Sequence, residues 1–314
     1  MKKKLQSILL FLKKIKFFNL VIYAALILIS YQFLYPLLRM IMTSMMSPED
    51  IINPTVNWLP KSWSFGNMKT ALRVLELKTT LTNSILFSGL LAICQTLVSA
   101  MTGYTFARYN FKFKNFWFVM VILTFILPTP IMLIPRTMMA VSIREIFGFQ
   151  MIGTPYPQML MAITGQGIYS AILILIFYNF IKLIPRSLDE AASIDGASPM
   201  QIFYHVILKL SLSTILVVFL LSFVWNWNET YITNTFIRGQ ISLLPPRLAM
   251  FDSIFEQYAS VGGGSGGLNQ EQQRINEAYK MSATLISILP LFIMYLVVQK
   301  QLIKGIESAG ITGE

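Results

Sequence analysis

The sequence has 314 residues, of which 55% are hydrophobic and only 12% are charged, and its formal net charge is +11. A soluble globular protein carries about 25% charged residues, so this composition favours a protein embedded in a lipid bilayer. The basic residues flank apolar runs and form no single stripe, which argues against binding to nucleic acid. The single cysteine, Cys94, excludes an intrachain disulfide and a cysteine-based zinc cluster.

The first 16 residues form a basic amphipathic segment. They contain six lysines, with leucines and isoleucines spaced three and four apart. This pattern predicts a helix that lies on an anionic membrane face. The apolar run 17–43 follows, and it is long enough to span a bilayer and has no small-residue cleavage site. We therefore interpret it as an uncleaved transmembrane helix and not as a signal peptide.

Six apolar runs predict an all-α, polytopic membrane protein with about six transmembrane helices. Each run is long enough to cross a hydrocarbon core of roughly 30 Å in helical form. The runs are 17–43, 83–107, 115–140, 158–182, 206–229 and 281–300.

The distribution of basic residues predicts that both termini lie in the cytoplasm. With that orientation the inside segments hold 14 Lys and Arg residues in 66 positions, and the outside segments hold 11 in 117. Lys and Arg accumulate on the cytoplasmic side of membrane proteins. The opposite orientation would invert the observed bias.

The sequence has no pattern typical of an enzyme or of a proton-coupled transporter. It lacks the G-x-x-x-x-G-K-[ST] motif of a phosphate loop. Apart from Lys209, near the cytoplasmic start of the fifth run, no ionisable residue lies at the expected midplane of a predicted span, and Lys209 can reach the interface. The lone histidine, His205, is interpreted as a surface residue, and no metal site is predicted. Energy for uphill transport would therefore come from a partner.

The segment 184–205 predicts two short cytoplasmic helices joined by a sharp turn. Ser187 and Glu190 have the spacing of a capping box at the start of the first helix. Asp189 and Glu190 in the first turn also suit the positive end of the helix dipole.

The turn and the second helix have equally clear signals. Asp195 and Gly196 end the first helix, because glycine adopts left-handed geometry at little cost. Ser198 caps the second helix, Pro199 fits its first position, and Gln201 completes a second capping box. On capping alone, an ordinary connecting loop explains the segment as well as a functional element does.

A family resemblance favours the functional element. The residues Glu190-Ala191-Ala192 and Asp195-Gly196-Ala197, with Ile184-Pro185 before them, resemble the EAA motif of ABC importer permeases. Further matches to carbohydrate-importer permeases run from about residue 20 to residue 306, and they include Tyr104-x-x-Ala107-Arg108, Pro128 and Trp225-Asn226. The pattern is most similar to the smaller permease of maltose-type sugar importers. That family usually has proline where Lys209 and Thr214 stand.

The resemblance implies that the segment is the coupling helix, which docks on a cytoplasmic ATPase subunit. The coupling residues that it implies are Ser187, Glu190, Ala191, Ala192, Asp195, Gly196 and Ser198. It also implies a second homologous permease, two ATP-binding cassette subunits and an extracytoplasmic solute-binding protein. The chain itself would hold no cofactor, because ATP and magnesium would bind the partner ATPase subunits. The expected location is a bacterial inner or cytoplasmic membrane.

Two further regions are candidates for contact with substrate or binding protein. Trp225, Asn226, Trp227 and Asn228 offer aromatic faces and amides for a sugar or oligosaccharide, although tryptophans there also suit interface anchors. The predicted external loop 230–280 contains a flexible stretch that either reaches the binding protein or is a simple insertion. That stretch is Gly262, Gly263, Gly264, Ser265, Gly266 and Gly267.

The predicted organisation has three parts. A cytoplasmic segment 1–16 in contact with membrane lipids precedes a permease domain 17–306, and a cytoplasmic tail 307–314 follows. The predicted function is that of a transmembrane permease subunit in an ATP-driven sugar importer. One alternative is an importer of another polyol-like solute or of a peptide, and another is a stand-alone channel or membrane scaffold.

Overall fold

The chain is almost entirely helical. The computed structural model describes the backbone of residues 2–56, 58–261 and 270–310, and the side chains of residues 18–56, 58–258 and 275–300. Helices account for 80% of the chain. Within the described backbone there is no β-strand, and an isolated bridge joins Met46 to Trp63. The predicted all-α class is confirmed.

The described residues form sixteen α-helices and one π-helical turn. In chain order they are α1 (Lys2–Ser44), α2 (Pro48–Ile52), α3 (Gly66–Val74), α4 (Leu77–Arg108), α5 (Lys114–Ile126), α6 (Thr129–Phe147), α7 (Tyr156–Ile163), α8 (Ser170–Leu183), α9 (Arg186–Ile194), α10 (Pro199–Ile202), the π-helical turn Phe203–Ile207, α11 (Leu208–Leu210), α12 (Leu212–Asn228), α13 (Tyr231–Ile237), α14 (Leu244–Ala249), α15 (Phe251–Val261) and α16 (Gln270–Gly310).

Three helical stretches in the described part of the chain are long and apolar enough to cross a membrane in one piece. They are Phe18–Ser44 in α1, Leu77–Arg108, which is the whole of α4, and Ile275–Lys300 in α16. Three further helix pairs meet the same criterion only together, because each is bent by more than 40° at a short break. Length and composition thus allow three spans, or up to six if each bent pair counts as one.

The sharp bends were not predicted, and they have local causes. The run 115–140 turns by 106° between α5 and α6, where Leu127 and Pro128 are extended. A proline there has no N–H for a continuous helix. The run from α10 to α12 turns by 83° near Ser211, just after the π-helical turn, although neither Lys209 nor Thr214 is proline.

Two predictions of element boundaries were wrong. The run 158–182 is not one helix, because α7 ends at Ile163 and α8 begins at Ser170. Between them Gly165 and Tyr169 have φ angles of +72° and +52°, which a continuous right-handed helix cannot contain. The predicted loop 230–280 is also largely helical, since it contains α13, α14, α15 and the beginning of α16. At the N-terminus, α1 continues from residue 2 through the predicted boundary at residues 16 and 17.

The chain divides into two compact units. The first comprises residues 1–74 and 252–286, and the second comprises residues 75–251 and 287–314. In the first unit, the buried Asn67 side chain donates a 2.8 Å hydrogen bond to the carbonyl of Met46. The Asp50 carboxylate accepts hydrogen bonds from the backbone N–H groups of Lys61 and Ser62. These polar contacts hold the segment that follows α1 in place.

Helix α4 is the central element of the second unit, where it packs against α7, α8 and α12. Its buried positions include small and polar residues such as Ser88, Ser99 and Ala100. Helix α8 approaches α4 closely at Gly103, where an added Cβ would lie 2.7 Å from the Cβ of Phe177 and 2.9 Å from the backbone nitrogen of Tyr178. Small residues permit such close packing between membrane helices. Residues from the middle and from the C-terminal end of α4 contribute to the sites described next.

Candidate functional site

The segment 184–205 forms two short helices joined by a turn, and we call α9, the turn and α10 the knuckle. Helix α9 ends at Ile194, Asp195 is its C-cap residue, and Gly196 follows with a φ of +84°. Ser198 then caps α10, since its hydroxyl accepts from the N–H of Gln201 while the Gln201 side chain accepts from the N–H of Ser198. The predicted turn and second capping box are confirmed.

The first predicted capping box was wrong. Helix α9 begins at Arg186, and its N-cap residue is Pro185, whose side chain offers no acceptor. Ser187 therefore lies within the first turn, two residues after the N-cap position, and does not cap the helix. Glu190 is exposed and caps nothing, so its carboxylate is available to a partner.

An ion pair ties the first turn of α9 to the end of α4. The Nε atom of Arg108 lies 2.7 Å from Oδ2 of Asp189, and the exposed fractions of the two side chains are only 6% and 17%. Arg108 also donates a 2.9 Å hydrogen bond from Nη2 to the carbonyl of Ile184, just before α9. The guanidinium thus holds both the helix and the chain that enters it.

The partly buried Asp189 carboxylate is stabilised mainly by its contact with Arg108. Burial raises the pKa of the Asp189 carboxyl, and the positive charges of Arg108 and Arg186 oppose that rise. The Oδ1 atom of Asp189 is buried and has no hydrogen-bond partner in the described structure. Asp189 therefore relies on Arg108 for most of its compensation. Sequence reasoning placed Arg108 in a family motif but assigned it no contact, because the pairing is tertiary.

One side of the knuckle packs onto the core and the other faces outward. Ala192 and Ala197 pack against a buried apolar cluster that contains Phe177, Ile202 and Phe203. The outward side includes Ile194, whose side chain is 86% exposed. The predicted coupling residues Ser187, Glu190, Ala191, Asp195, Gly196 and Ser198 are all exposed, and Ala192 is partly buried.

A polar network in the second unit links α4, α12 and the break between α7 and α8. The buried Gln95 accepts hydrogen bonds at Oε1 from the Ser222 hydroxyl and, at 2.8 Å, from the Asn226 amide. Its own amide donates to the carbonyl of Ile168 at 3.5 Å. At Gly167 an added Cβ would lie 1.7 Å from the Gln95 nitrogen, so the break must approach α4 without a side chain.

Beside this network lies an open cavity, which we call the outer cavity. Segments of α4, α5, α6, α7, α8 and α12 and the break between α7 and α8 surround it. Amide side chains, one arginine, one glutamate and one aromatic hydroxyl contribute to the lining. These residues are Gln95, Gln158, Gln166, Asn226, Arg136, Glu229 and Tyr169.

The four residues predicted to contact substrate have different environments. Asn226 lines the outer cavity, but its amide is committed to Gln95 and to Ser222. Trp227 is 3% exposed and stacks on Phe223, so it packs in the core. Trp225 lies edge-on to Tyr169, and Asn228 is exposed. Asn226 is the member of this set that borders the cavity.

Sequence reasoning missed Arg136, Tyr169 and Glu229. Arg136 lies near the end of the apolar run 115–140, and Glu229 is the last residue of the run 206–229, so neither was singled out from its neighbours. No sequence pattern indicated Tyr169, because its position in the cavity lining depends on a positive φ that is unusual for tyrosine. The predicted glycine-rich stretch Gly262–Gly267 lies outside the described residues.

Comparisons with known proteins agree with this arrangement. The family model described as "Binding-protein-dependent transport system inner membrane component" matches residues 95–308, more than half of the chain. The sn-glycerol-3-phosphate transport system permease protein UgpE of Pectobacterium atrosepticum is 25% identical over 279 residues, which cover 87% of this chain and 90% of the relative. The probable starch degradation products transport system permease protein AmyC of Thermoanaerobacterium thermosulfurigenes is 26% identical over 285 residues, which cover 91% and 94%.

A solved structure shows the same fold. It is described as a bacterial ABC transporter involved in the import of the acidic polysaccharide alginate. The match has a TM-score of 0.71 at 20% sequence identity, and it covers 91% of this chain and 96% of the other. The likeness extends over nearly the whole of both chains.

Proposed function

The chain belongs to the family of binding-protein-dependent transport system inner membrane components, and from that premise we propose that it forms one half of the translocation path of an ATP-driven sugar importer. It is an integral membrane protein and a transport component, not an enzyme. Importers of this kind work with an ATPase and a solute-binding protein. We further propose a second homologous permease, two ATP-binding subunits and cytoplasmic termini.

The observation that carries the proposal is the knuckle. Its outward side exposes an isoleucine, Ile194, and a carboxylate, Glu190, while its inward side is fixed to α4 by the Arg108–Asp189 ion pair. Residues 190 and 194 are about one helical turn apart, so Glu190 and Ile194 present a charge and an apolar side chain on one exposed face that a protein partner can contact. Movement of that partner on ATP binding would pass through the ion pair to α4, the helix around which the second unit packs.

The proposed coupling residues are exposed on the knuckle, except Ala192, which packs behind them; the exposed ones are Ser187, Glu190, Ala191, Asp195, Gly196 and Ser198. Ser187 keeps a place in the contact surface, although it does not cap α9. The alternative of a stand-alone channel gives no role to this surface. The docking proposal explains why an apolar side chain is 86% exposed on a polar knuckle.

A sugar or related polyol is the substrate class that we propose. The names of the relatives refer to glycerol phosphate and to starch degradation products, and both of these carry several hydroxyl groups. The outer cavity offers amides together with the half-exposed ring of Tyr169. Such a mixture of hydrogen-bonding groups and aromatic surface suits polyhydroxylated ligands.

Replacing Gly196 by valine tests the proposal. Gly196 has a φ of +84° and no neighbouring atom within 4 Å of an added Cβ. The cost is therefore backbone strain alone, about 1–3 kcal/mol for a residue forced into this region. We expect Gly196→Val to insert normally but to lose the ATPase subunits during copurification and to lose binding-protein-stimulated ATP hydrolysis.

Gly196→Asn is the matched control, because asparagine tolerates left-handed geometry far better than a β-branched residue does. It should retain attachment and most of the stimulated activity. If Gly196→Val keeps both at the wild-type level, the knuckle is not the coupling element.

A further inference from the structure

We infer that this subunit itself binds the transported solute in the outer cavity, that the solute is an anionic sugar or polyol, and that Arg136 binds its carboxylate or phosphate group. The inference rests on the proposed function as an importer. It adds the charge of the substrate and the residue that recognises it.

Arg136 presents a positive charge that the described residues do not neutralise. Its Nη2 atom donates a 3.2 Å hydrogen bond to the carbonyl of Gln166, and no carboxylate in the described part of the chain lies within 4.0 Å of the guanidinium. The residue lies on α6, about two turns after the bend where two apolar helices meet. An ionisable group beside apolar spans is costly and usually serves a function. A bound anion would supply the missing counter-charge.

Glu229 does not fill that role. Its Oε1 atom accepts a 2.6 Å hydrogen bond from the backbone N–H of Ile232 in the first turn of α13. The carboxylate is thus engaged at the start of a helix, where negative charge is favourable. Gln95 and Asn226 are likewise committed to each other. Glu229 keeps its negative charge, but its carboxylate lies more than 4.0 Å from the Arg136 guanidinium, which therefore has N–H donors free for a ligand.

Two buried polar atoms in the same lining also lack partners. Gln158 is 5% exposed and Ser170 is 3% exposed, and both line the cavity. The Gln158 amide nitrogen donates to Thr233, but its Oε1 atom and the Ser170 hydroxyl have no hydrogen-bond partner in the described structure. Buried polar groups are almost always paired, so each unpaired one calls for a partner. A ligand hydroxyl can donate to Gln158 and exchange a hydrogen bond with Ser170.

Tyr169 adds a surface for the body of a sugar. Its side chain is 50% exposed, it lines the cavity, and Trp225 supports its ring edge-on at 5.0 Å. The cavity thus combines a cation, two unpaired polar atoms and an aromatic ring. A carboxylated or phosphorylated sugar satisfies all of them, because a guanidinium binds either anion in a bidentate manner.

The test is uptake by cells that carry the complete importer with its own binding protein. The probes are trigalacturonate, sn-glycerol 3-phosphate and neutral maltotriose, which separate a carboxylate, a phosphate and an uncharged ligand. We expect one of the anionic probes to be imported. Arg136→Gln should lower its uptake by about tenfold or more, since a charge-assisted hydrogen bond is lost. Arg136→Lys keeps the charge and should keep more of the uptake.

Arg144→Gln is the matched control, because Arg144 is exposed on the same helix and does not line the cavity. It should import at the wild-type rate, and copurification of all subunits will show that each variant assembles. Import of maltotriose in place of the anionic probes, or unchanged uptake by Arg136→Gln, overturns the inference. If the uptake measured in either of these cases still requires ATP and is lost in Gly196→Val, the proposed function stands. Absence of ATP-dependent uptake of all three probes counts against both.

Discussion

Replacing Gly103 by alanine should destabilise the protein more than any other single methyl group added to α4. The new Cβ would lie 2.7 Å from the Cβ of Phe177 and 2.9 Å from the backbone nitrogen of Tyr178. Because one of these atoms belongs to the backbone of α8, the clash cannot be relieved by rotating a side chain. Overpacking of this kind costs about 1–3 kcal/mol and sometimes more. The measurement is the thermal stability of the detergent-purified complex, followed by size-exclusion chromatography after heating.

Gly89→Ala provides the matched comparison on the same helix. An added Cβ there would lie 4.0 Å from Phe223, which is ordinary contact. Alanine is also favoured over glycine inside a helix by about 1 kcal/mol, so this variant should be at least as stable as the parent. Equal stability of the two variants would show that α4 and α8 do not pack as described.

The second large effect is expected for Arg108→Gln. Removing one partner of a buried ion pair costs up to about 3–5 kcal/mol, because the remaining charge stays buried without compensation. Asp189 would be left in that state, with its Oδ1 atom already unpartnered. We expect the variant to lose most binding-protein-stimulated ATP hydrolysis and solute uptake, since α9 would no longer be fixed to α4.

Two further variants separate the ion pair from general damage. Arg186→Gln removes an exposed arginine beside the same carboxylate and should retain activity. Adding Asp189→Asn to Arg108→Gln removes the stranded charge and should recover part of the lost stability. If the double variant is no more stable than Arg108→Gln, the pair does not act as a unit.

Local signals in the sequence predicted the turn and the second helix of the knuckle correctly. Gly196 and the capping box of Ser198 and Gln201 depend on neighbouring residues alone, and the structure contains both. The predicted Ser187 cap is absent because Pro185 is the N-cap residue, so α9 begins at Arg186, two residues before the start at Leu188 that a Ser187 cap requires. Capping patterns thus locate a helix start to within about a turn.

Tertiary features were beyond the sequence. The partner of Asp189 comes from the far end of α4, and no local pattern encodes that pairing. The break between α7 and α8 contains two residues with positive φ, Gly165 and Tyr169. A glycine in an apolar run is a recognisable sign of a helix break, whereas a tyrosine is not. Hydropathy treats such a run as one helix, because it records composition and not backbone direction. Arg136 was overlooked because hydropathy averages a single charged residue into the apolar run 115–140.

The central claim is that the knuckle docks on an ATP-binding subunit in the cytoplasm. A photoreactive phenylalanine analogue placed at Ile194, the most exposed apolar side chain of the knuckle, tests this contact directly. The control position is Gln240, which is also exposed and which the proposed topology places outside. In the intact importer, irradiation should join position 194 to the ATP-binding subunit and leave position 240 free of it. A complex that hydrolyses ATP but gives no such product from position 194 would contradict the account.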